Sequence, residues 1–448
     1  MYRLEFLLLA LAAPFLLFPT LKPEATLAVL VLLALFWMAS LARRRPWPVT
    51  PFNGALLLFA VMVGVGVGVS ALPDLTLPKA TGLILGLGLF RWAAGMRGDK
   101  GRRVALALFL LAGAGVWGMG LLGTAWSLKV PGLQVWLERL PGQVVLLPAA
   151  PEGGINPNQL AGVMALLLPL PVAVLLEGRF SWRDLPRRLL GLAGAVVWGG
   201  TLFLTQSRGG WVGGLVGLLT LFSLWGLSGR RRWQRGVGLA LPLLALAAGV
   251  ALVVHLGPEQ VGEFLYGVAQ RQVESPVGTI TVQGRIEIWS RALYAIQDFP
   301  FTGCGLGAFR RVVWVLYPPF GFPPGHDFAH AHNVFLQTAL DLGLPGLVAY
   351  LALLGLAGAV GWQAAVSTPG PSPPPLGPPQ TWEGGGGGVG ERAGVRAVAL
   401  GLLSGLVGLH VYGLADALAL GSRPNFLFWW MLGLLAALAG EGESKKDE

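Results

Sequence analysis

Arginine and histidine are the residues best suited to chemistry in this chain, and they are unevenly placed. Arg208 stands in the short turn Ser207-Arg208-Gly209-Gly210 between two apolar stretches, while Arg271, Arg285, Arg291, Arg310 and Arg311 crowd one polar segment. A guanidinium stays charged at any working pH and grips phosphate with a two-pronged fork. Such a group points to a substrate carrying phosphate or diphosphate. Three of the five histidines, His326, His330 and His332, fall within seven residues, and His332-Asn333 sits directly before an apolar stretch. An imidazole that titrates near neutrality is a natural base for deprotonating a hydroxyl. The candidate catalytic set is therefore Arg208, Arg285 and His332, with Arg310, Arg311, Asn333 and Asn158 as candidate contacts to diphosphate or glycan.

Each of these residues also has a plainer reading. The arginines have carboxylates available in the same segment (Glu259, Glu263, Glu274, Glu287, Asp298, Asp327), and lipid headgroups beyond it. His332 could cap the helix that follows, or join His326, His330 and Asp327 around a zinc ion. His326 and His330 are expected to be structural, and His255 and His410 to be satisfied or interfacial at the ends of apolar stretches. In Asn156-Pro157-Asn158-Gln159 an asparagine is first a helix cap, and only second a contact to sugar or diphosphate. Asp416 either orients a base or pairs with Arg423.

The elements that must hold these residues are membrane helices. A spanning helix needs about 20 mostly apolar residues. Twelve such stretches lie near 4–21, 24–42, 52–72, 78–95, 104–125, 158–177, 189–206, 211–228, 236–256, 333–360, 395–414 and 425–440. With the N-terminus inside, 20 Lys and Arg fall on the cytoplasmic side, 11 outside, and Arg91 within a span. The positive-inside rule therefore favours both termini in the cytoplasm. That orientation places Arg208 and the Arg/His segment outside. The expected organisation is a bundle of nine spans over 1–256, an external loop over 257–331, a tenth span over 332–366, a cytoplasmic Pro/Gly linker over 367–394, and two spans with a tail over 395–448. The linker is too poor in apolar residues to build a core and is expected to be dispensable. Within the external loop, Ile286, Trp289, Leu293 and Ile296 make a helical stripe over 285–299, with Glu287 and Arg291 paired on the other face.

Composition agrees with this reading and narrows the function classes. The 448 residues are 54% hydrophobic and 12% charged, with mean hydropathy +0.65. Soluble domains carry about 25% charged residues. A net charge of +10 would suggest nucleic acid in a soluble protein, but here the basic residues sit between apolar spans. The single cysteine, Cys304, excludes an intrachain disulfide and a cysteine-based metal cage. Met1–Leu21 has a basic start and an apolar run without a convincing cleavage site, and is expected to stay as the first helix.

Taken in order, several stretches resemble the O-antigen ligase and O-antigen polymerase superfamily. They are Leu204-Thr205-Gln206-Ser207-Arg208-Gly209-Gly210-Trp211; Gly284-Arg285 followed by Trp289; Pro300-Phe301-Thr302-Gly303-Cys304-Gly305-Leu306-Gly307-Ala308-Phe309; and Ala331-His332-Asn333 followed by Leu342-Gly343-Leu344-Pro345-Gly346. The likeness is strongest over 155–350. It implies an all-α polytopic bundle of the class C glycosyltransferase kind, in the inner membrane of a bacterium, with its active site on the periplasmic side. It implies transfer of a glycan from an undecaprenyl diphosphate carrier to an acceptor hydroxyl, with inversion and without metal or cofactor. By the same resemblance Arg208 and Arg285 would bind the diphosphate, Arg310 would assist, and His332 would take the acceptor proton. The partners implied are the lipid-linked donor, a glycan or lipid A-core acceptor, and membrane lipid, with no nucleic acid. A polymerase with a carrier-linked acceptor remains open beside the ligase. A lipid-linked glycan flippase is the rival from another class, but it would be expected to carry charges inside its spans.

Overall fold

The computed structural model describes residues 2–43, 47–96, 98–124, 126, 128, 132–140, 155–177, 184–229, 231–266, 282–323, 326–366 and 387–439; side chains are not described at 258–266, 282–283 and 387–393. Arg271, Glu274, the Pro/Gly stretch over 367–386 and the tail with Lys445 and Lys446 lie outside the described residues. The helices are α1 (Tyr2–Leu17), α2 (Pro23–Ala42), α3 (Asn53–Val69), α4 (Pro73–Ala94), α5 (Gly98–Gly123), the single turn α6 (Gln134–Leu137), α7 (Pro157–Leu167), α8 (Pro169–Leu176), α9 (Leu185–Leu204), α10 (Arg208–Leu227), α11 (Arg232–Tyr266), α12 (Val282–Asp298), α13 (Phe309–Leu316), α14 (Val334–Val366), α15 (Gly387–Tyr412) and α16 (Phe426–Ala439). Each of the twelve apolar stretches carries a helix. Among the described residues, eight helical stretches are long and apolar enough to cross a membrane. The protein is an all-α polytopic membrane protein.

Proline sets several helix starts, because its missing N–H costs nothing in the first turn. Pro23, Pro73, Pro157 and Pro169 all stand there. Helices approach closely where side chains are small, as membrane bundles require. A Cβ at Gly213 of α10 would lie 2.6 Å from the Gly408 carbonyl of α15, and one at Gly405 would lie 2.1 Å from the Leu166 carbonyl. The main core is built around Trp92, Phe59, Phe90, Phe428, Trp429, Tyr350 and Tyr412. A second core, with Ile288, Ala292, Phe309, Val313, Phe328 and Leu340, seats α12 and α13 on the start of α14.

The two ends of the bundle differ. Trp92 Nε1 donates to the Tyr2 carbonyl at 2.9 Å, and Gly433 of α16 packs on Phe90 and Ala93, so the start of α1 and the end of α16 share the end where α4 stops. At the opposite end, Thr81 of α4 donates to the Leu16 carbonyl at 2.8 Å, and Thr76 donates to the Leu306 carbonyl at 3.1 Å.

Three expectations change in detail. The stretch read as one span over 333–360 is two helical segments joined at Gly343, whose φ of 69° and whose contact with the Phe301 backbone break the helix. Leu344 N–H donates to the Pro300 carbonyl there at 2.7 Å, so the break is where the Gly303–Phe309 loop docks. On α12 the buried stripe is Gly284, Ile288, Ala292 and Ala295, while Ile286 and Leu293 of the expected stripe are exposed. The backbone there approaches its neighbours through small residues, which turns the larger apolar side chains outward. Finally, α15 begins at Gly387, inside the segment read as linker.

Candidate functional site

The segment 329–333 is anchored from three sides. Trp289 Nε1 of α12 donates to the Ala331 carbonyl at 3.0 Å, and Ala331 N–H donates to Gln337 Oε1 at 2.7 Å. Gln337 Nε2 in turn donates to Asp341 Oδ1 at 2.7 Å, which also accepts the Gly307 N–H at 2.8 Å. This buried relay ties the histidine segment to the glycine-rich loop. On the other side Val334 N–H donates to the Gly413 carbonyl at 2.7 Å, just before Asp416. Held this way, His332 adopts φ 50°; it and Gln206 (φ 51°) are the only non-glycine residues with positive φ among the described residues. Such a conformation costs about 1 kcal/mol or more and persists only where its surroundings enforce it.

At the centre lie His330, His332 and Asp416, all nearly buried. His332 Nδ1 is 3.4 Å and His330 Nε2 3.5 Å from Asp416 Oδ1. His330 Nδ1 accepts the His332 N–H at 3.1 Å, so a neutral His330 carries its proton on Nε2, facing the carboxylate. Burial first, then the nearby charge of His332, pushes the His330 imidazole down to about 3 and keeps it neutral. Burial alone would raise the Asp416 carboxyl. The adjoining His332, with the charges of His330 and Arg285, outweighs burial and holds Asp416 below the ordinary carboxylate range. His332 Nδ1 is buried with no hydrogen-bond partner, and it lies against this carboxylate. Asp416 therefore lies on the Nδ1 side of the ring, and Nε2 is the ring nitrogen turned from it. Of the partners weighed for Asp416, the histidines lie against it, and the Arg423 guanidinium lies 4.3 Å over the Phe18 ring.

Arg285, in the first turns of α12, sends its charge into this centre. It acts on Asp416, His330 and Tyr412, and on Arg208. Its Nε is buried without a hydrogen-bond partner, and it makes no ion pair among the described residues. Arg208 opens α10, whose N-cap Ser207 accepts the Gly210 N–H at 3.3 Å. Two arginines within reach of each other's field, at a helix N-terminus, favour an anion between them.

The other predicted contacts are placed differently. Arg310 is held by Asp327 in a two-pronged ion pair, and Arg311 by Asp74 at 2.8 Å. Asn333 caps α14, accepting the Phe335 and Leu336 N–H groups at 3.0 and 3.1 Å, and donates to the Leu414 carbonyl. The capping role weighed for His332 thus belongs to its neighbour. Asn156 caps α7 by accepting the Asn158 N–H at 2.8 Å; the Asn158 side chain makes no hydrogen bond among the described residues. The zinc set weighed from the sequence does not assemble. Asp327 is engaged by Arg310, and His326 packs among Phe322 and Phe328. The trio that converges is His330, His332 and Asp416, with ligand atoms within 4.8 Å of one another. Burial pushes the Cys304 thiol up to about 12, which leaves no thiolate to act as a nucleophile.

Sequence reasoning read His330 as structural and did not single out Gln337 or Asp341. Gln337 and Asp341 stand one helical turn apart in an apolar stretch, and two polar residues at that spacing inside a span were the available signal.

An all-α membrane bundle with a buried His–His–Asp centre and arginine charge beside it defines the class: a polytopic membrane protein with a polar site at one end. Residues 193–351 match the O-antigen ligase family model, which supports a place in the O-antigen ligase and polymerase superfamily. No curated protein matches the chain. The matched segment contains Arg208, Arg285, Arg310, Arg311, His332 and Asn333; Asn158 and Asp416 lie outside it. It supports an O-antigen ligase- or polymerase-type function on lipid-linked glycan and acceptor in a bacterial membrane.

Proposed function

We propose that the chain moves a glycan from an undecaprenyl diphosphate carrier to an acceptor hydroxyl on the outer face of the inner membrane. The observation that carries this reading is the convergence of Arg285 on the His332–Asp416 pair. His332 Nε2 takes the acceptor proton while Asp416 stabilises the imidazolium that forms. The freed oxygen attacks the anomeric carbon from the face opposite the leaving group, and the bond from that carbon to the diphosphate oxygen breaks. Arg208 and Arg285 hold the charge that grows on the departing diphosphate, so the configuration inverts. Asn333, next to His332, and Asn158, in the first turn of α7, are further contacts to the glycan in this reading, while Arg310 and Arg311 would have to leave their carboxylates to join. N-in, C-in topology fits the placement of the start of α1 and the end of α16 together, away from this centre.

The test is glycan transfer in cells lacking their own ligase or polymerase, comparing wild type, Arg285→Ala and His332→Ala at equal membrane levels. Restoration by wild type and failure of both variants supports the reading. A lipid A-linked product identifies a ligase and a carrier-linked product a polymerase. Transfer by both variants sinks the proposed site, and faster glycan crossing without transfer makes the protein a flippase. In this reading the reaction needs no metal, so transfer by the purified protein survives EDTA. Loss that zinc restores would turn the His330–His332–Asp416 trio into a metal centre.

A further inference from the structure

The stretch 303–309 carries apolar side chains and one protonated thiol, so it has nothing to give the reaction directly. Its backbone is nonetheless shaped to meet α14. Gly303, Gly305 and Gly307 all take positive φ, and a Cβ at Gly303 would stand 2.6 Å from the Leu340 carbonyl. Cys304 N–H donates to that carbonyl at 2.7 Å, and Gly307 N–H to Asp341 Oδ1 at 2.8 Å. The same oxygen accepts Gln337 Nε2 at 2.7 Å. A carboxylate that only accepts fixes which way round the Gln337 amide lies, with its nitrogen to Asp341 and its oxygen to the Ala331 N–H at 2.7 Å.

Gln337 is not an ordinary helix cap. In a capping box the third helical residue reaches back to the N–H of the cap itself. Asn333 is the cap of α14, and Gln337 is the fourth residue beyond it, bonded two residues ahead of it. What it holds is the peptide between His330 and Ala331. The next peptide is held at both ends, its carbonyl by Trp289 Nε1 at 3.0 Å and its N–H by His330 Nδ1 at 3.1 Å. With both peptides fixed, His332 is kept at φ 50° and the two imidazoles at a centroid separation of 4.4 Å, each against Asp416. Gln337 and Asp341 are both buried, and they reach the rings through the backbone.

We propose that Gln337 and Asp341 are positioning residues for the transfer, by which the 303–309 loop sets His332 on Asp416. The inference rests on the transferase reading above. It gives the glycine-rich motif a task, which is to hold the base in register.

The test is steady-state transfer by the full chain in lipid nanodiscs, expressed per folded molecule. Gln337→Leu leaves the Ala331 N–H and Asp341 short of a partner and lowers kcat by about tenfold to a hundredfold, the scale of a misplaced catalytic group. Donor KM changes little, because Arg208 and Arg285 are untouched. Asp341→Leu does the same, and the double variant falls no further than either single one. Asp341→Asn, whose oxygen still accepts both donors, restores the rate that Asp341→Leu loses. An unchanged kcat in Gln337→Leu, or losses that multiply in the double variant, overturn the proposal.

Gln337→Glu separates position from stability, and it decides the matter where Gln337→Leu does not fold. Two carboxylates in contact share one proton. While they keep it, both bonds of the relay survive; once it leaves, the pair repels. The ratio of variant to wild-type kcat therefore falls as pH rises, and a flat ratio overturns the proposal. Lys79 and Cys304 bear on Asp341, and His330, His332 and Asp416 lie beyond Ala331. These groups are common to both proteins, so they move the pH at which the ratio falls and leave its direction alone. A wild type without transfer sinks the transferase reading rather than the relay. Histidine 15N spectra then decide, with the His332 ring signal identified by its loss in His332→Ala. A shift of that signal in Gln337→Leu supports the relay, and an unmoved signal overturns it.

Discussion

The two ends of the bundle use buried charge in opposite ways. Where α1 begins, Arg91 and Glu5 form an ion pair inside the helices, Arg102 meets Asp99, and Arg396 meets Glu177 at 2.8 Å. Each of these cations has an acid, so the pairs hold helices in place. At the other end Arg285 has no such acid among the described residues, and the one carboxylate at the centre serves two histidines. A balanced end fastens the fold; in the proposed reading the unbalanced end receives an anion. Within the unbalanced end the same contrast recurs, with Arg310 and Arg311 paired and Arg285 not.

The sharpest way to break this contrast is to remove one group from each end. His332→Ala lowers transfer by about two to four orders of magnitude, the usual worth of a general base, with the unfolding temperature unchanged or raised. A fall in melting point that matches the lost activity would instead make His332 structural. Glu5→Gln does the reverse, costing about 3–5 kcal/mol of stability because Arg91 is left buried and unpaired. Thermal unfolding in detergent reads this, while transfer per folded molecule stays near wild type; reduced specific activity would mean the two ends are coupled.

Acid sharpens the comparison further. His330 sits at about 3 against an ordinary 6.5, so between those values the unfolded chain binds more protons than the folded one. Stability therefore rises with pH across this window and is lost as pH falls from 6.5 towards 3, by on the order of a few kcal/mol. Asp416, held low, adds to the loss below its ordinary 3.8. His330→Asn flattens the profile above pH 4, and an unaltered profile would show that another group carries it. The smallest effect is Arg310→Gln, an exposed pair worth below about 1 kcal/mol, with transfer reduced less than about threefold. A loss comparable to that of Arg285→Ala would return Arg310 to the anion site.

Much of this fold is legible in the sequence, because a lipid solvent forces long apolar helices and leaves few alternatives. The site is legible only as residue types. Arg208, Arg285 and His332 stand out since arginine outside a membrane and histidine at a span entrance run against the default. Nothing in one dimension says that Arg310 meets Asp327 or that Arg311 reaches back to Asp74, more than two hundred residues earlier. Asp416 carries the right chemistry, but its partner depends on how the turn after α15 folds. The exposed face of α12 is misread for a related reason: apolar periodicity finds a helix without saying which apolar residues meet protein and which meet lipid.

The backbone of His332 has a consequence for how sequences near this one would fare under selection. At φ 50°, glycine or asparagine would sit more comfortably than histidine, by about 1 kcal/mol. A survey scored only on how much protein reaches the membrane would therefore rank those replacements as improvements. A survey scored on product would discard them. In the proposed reading, histidine at this position is a residue that folding disfavours and the reaction retains, so disagreement between the two rankings would mark the active centre without any substrate in hand.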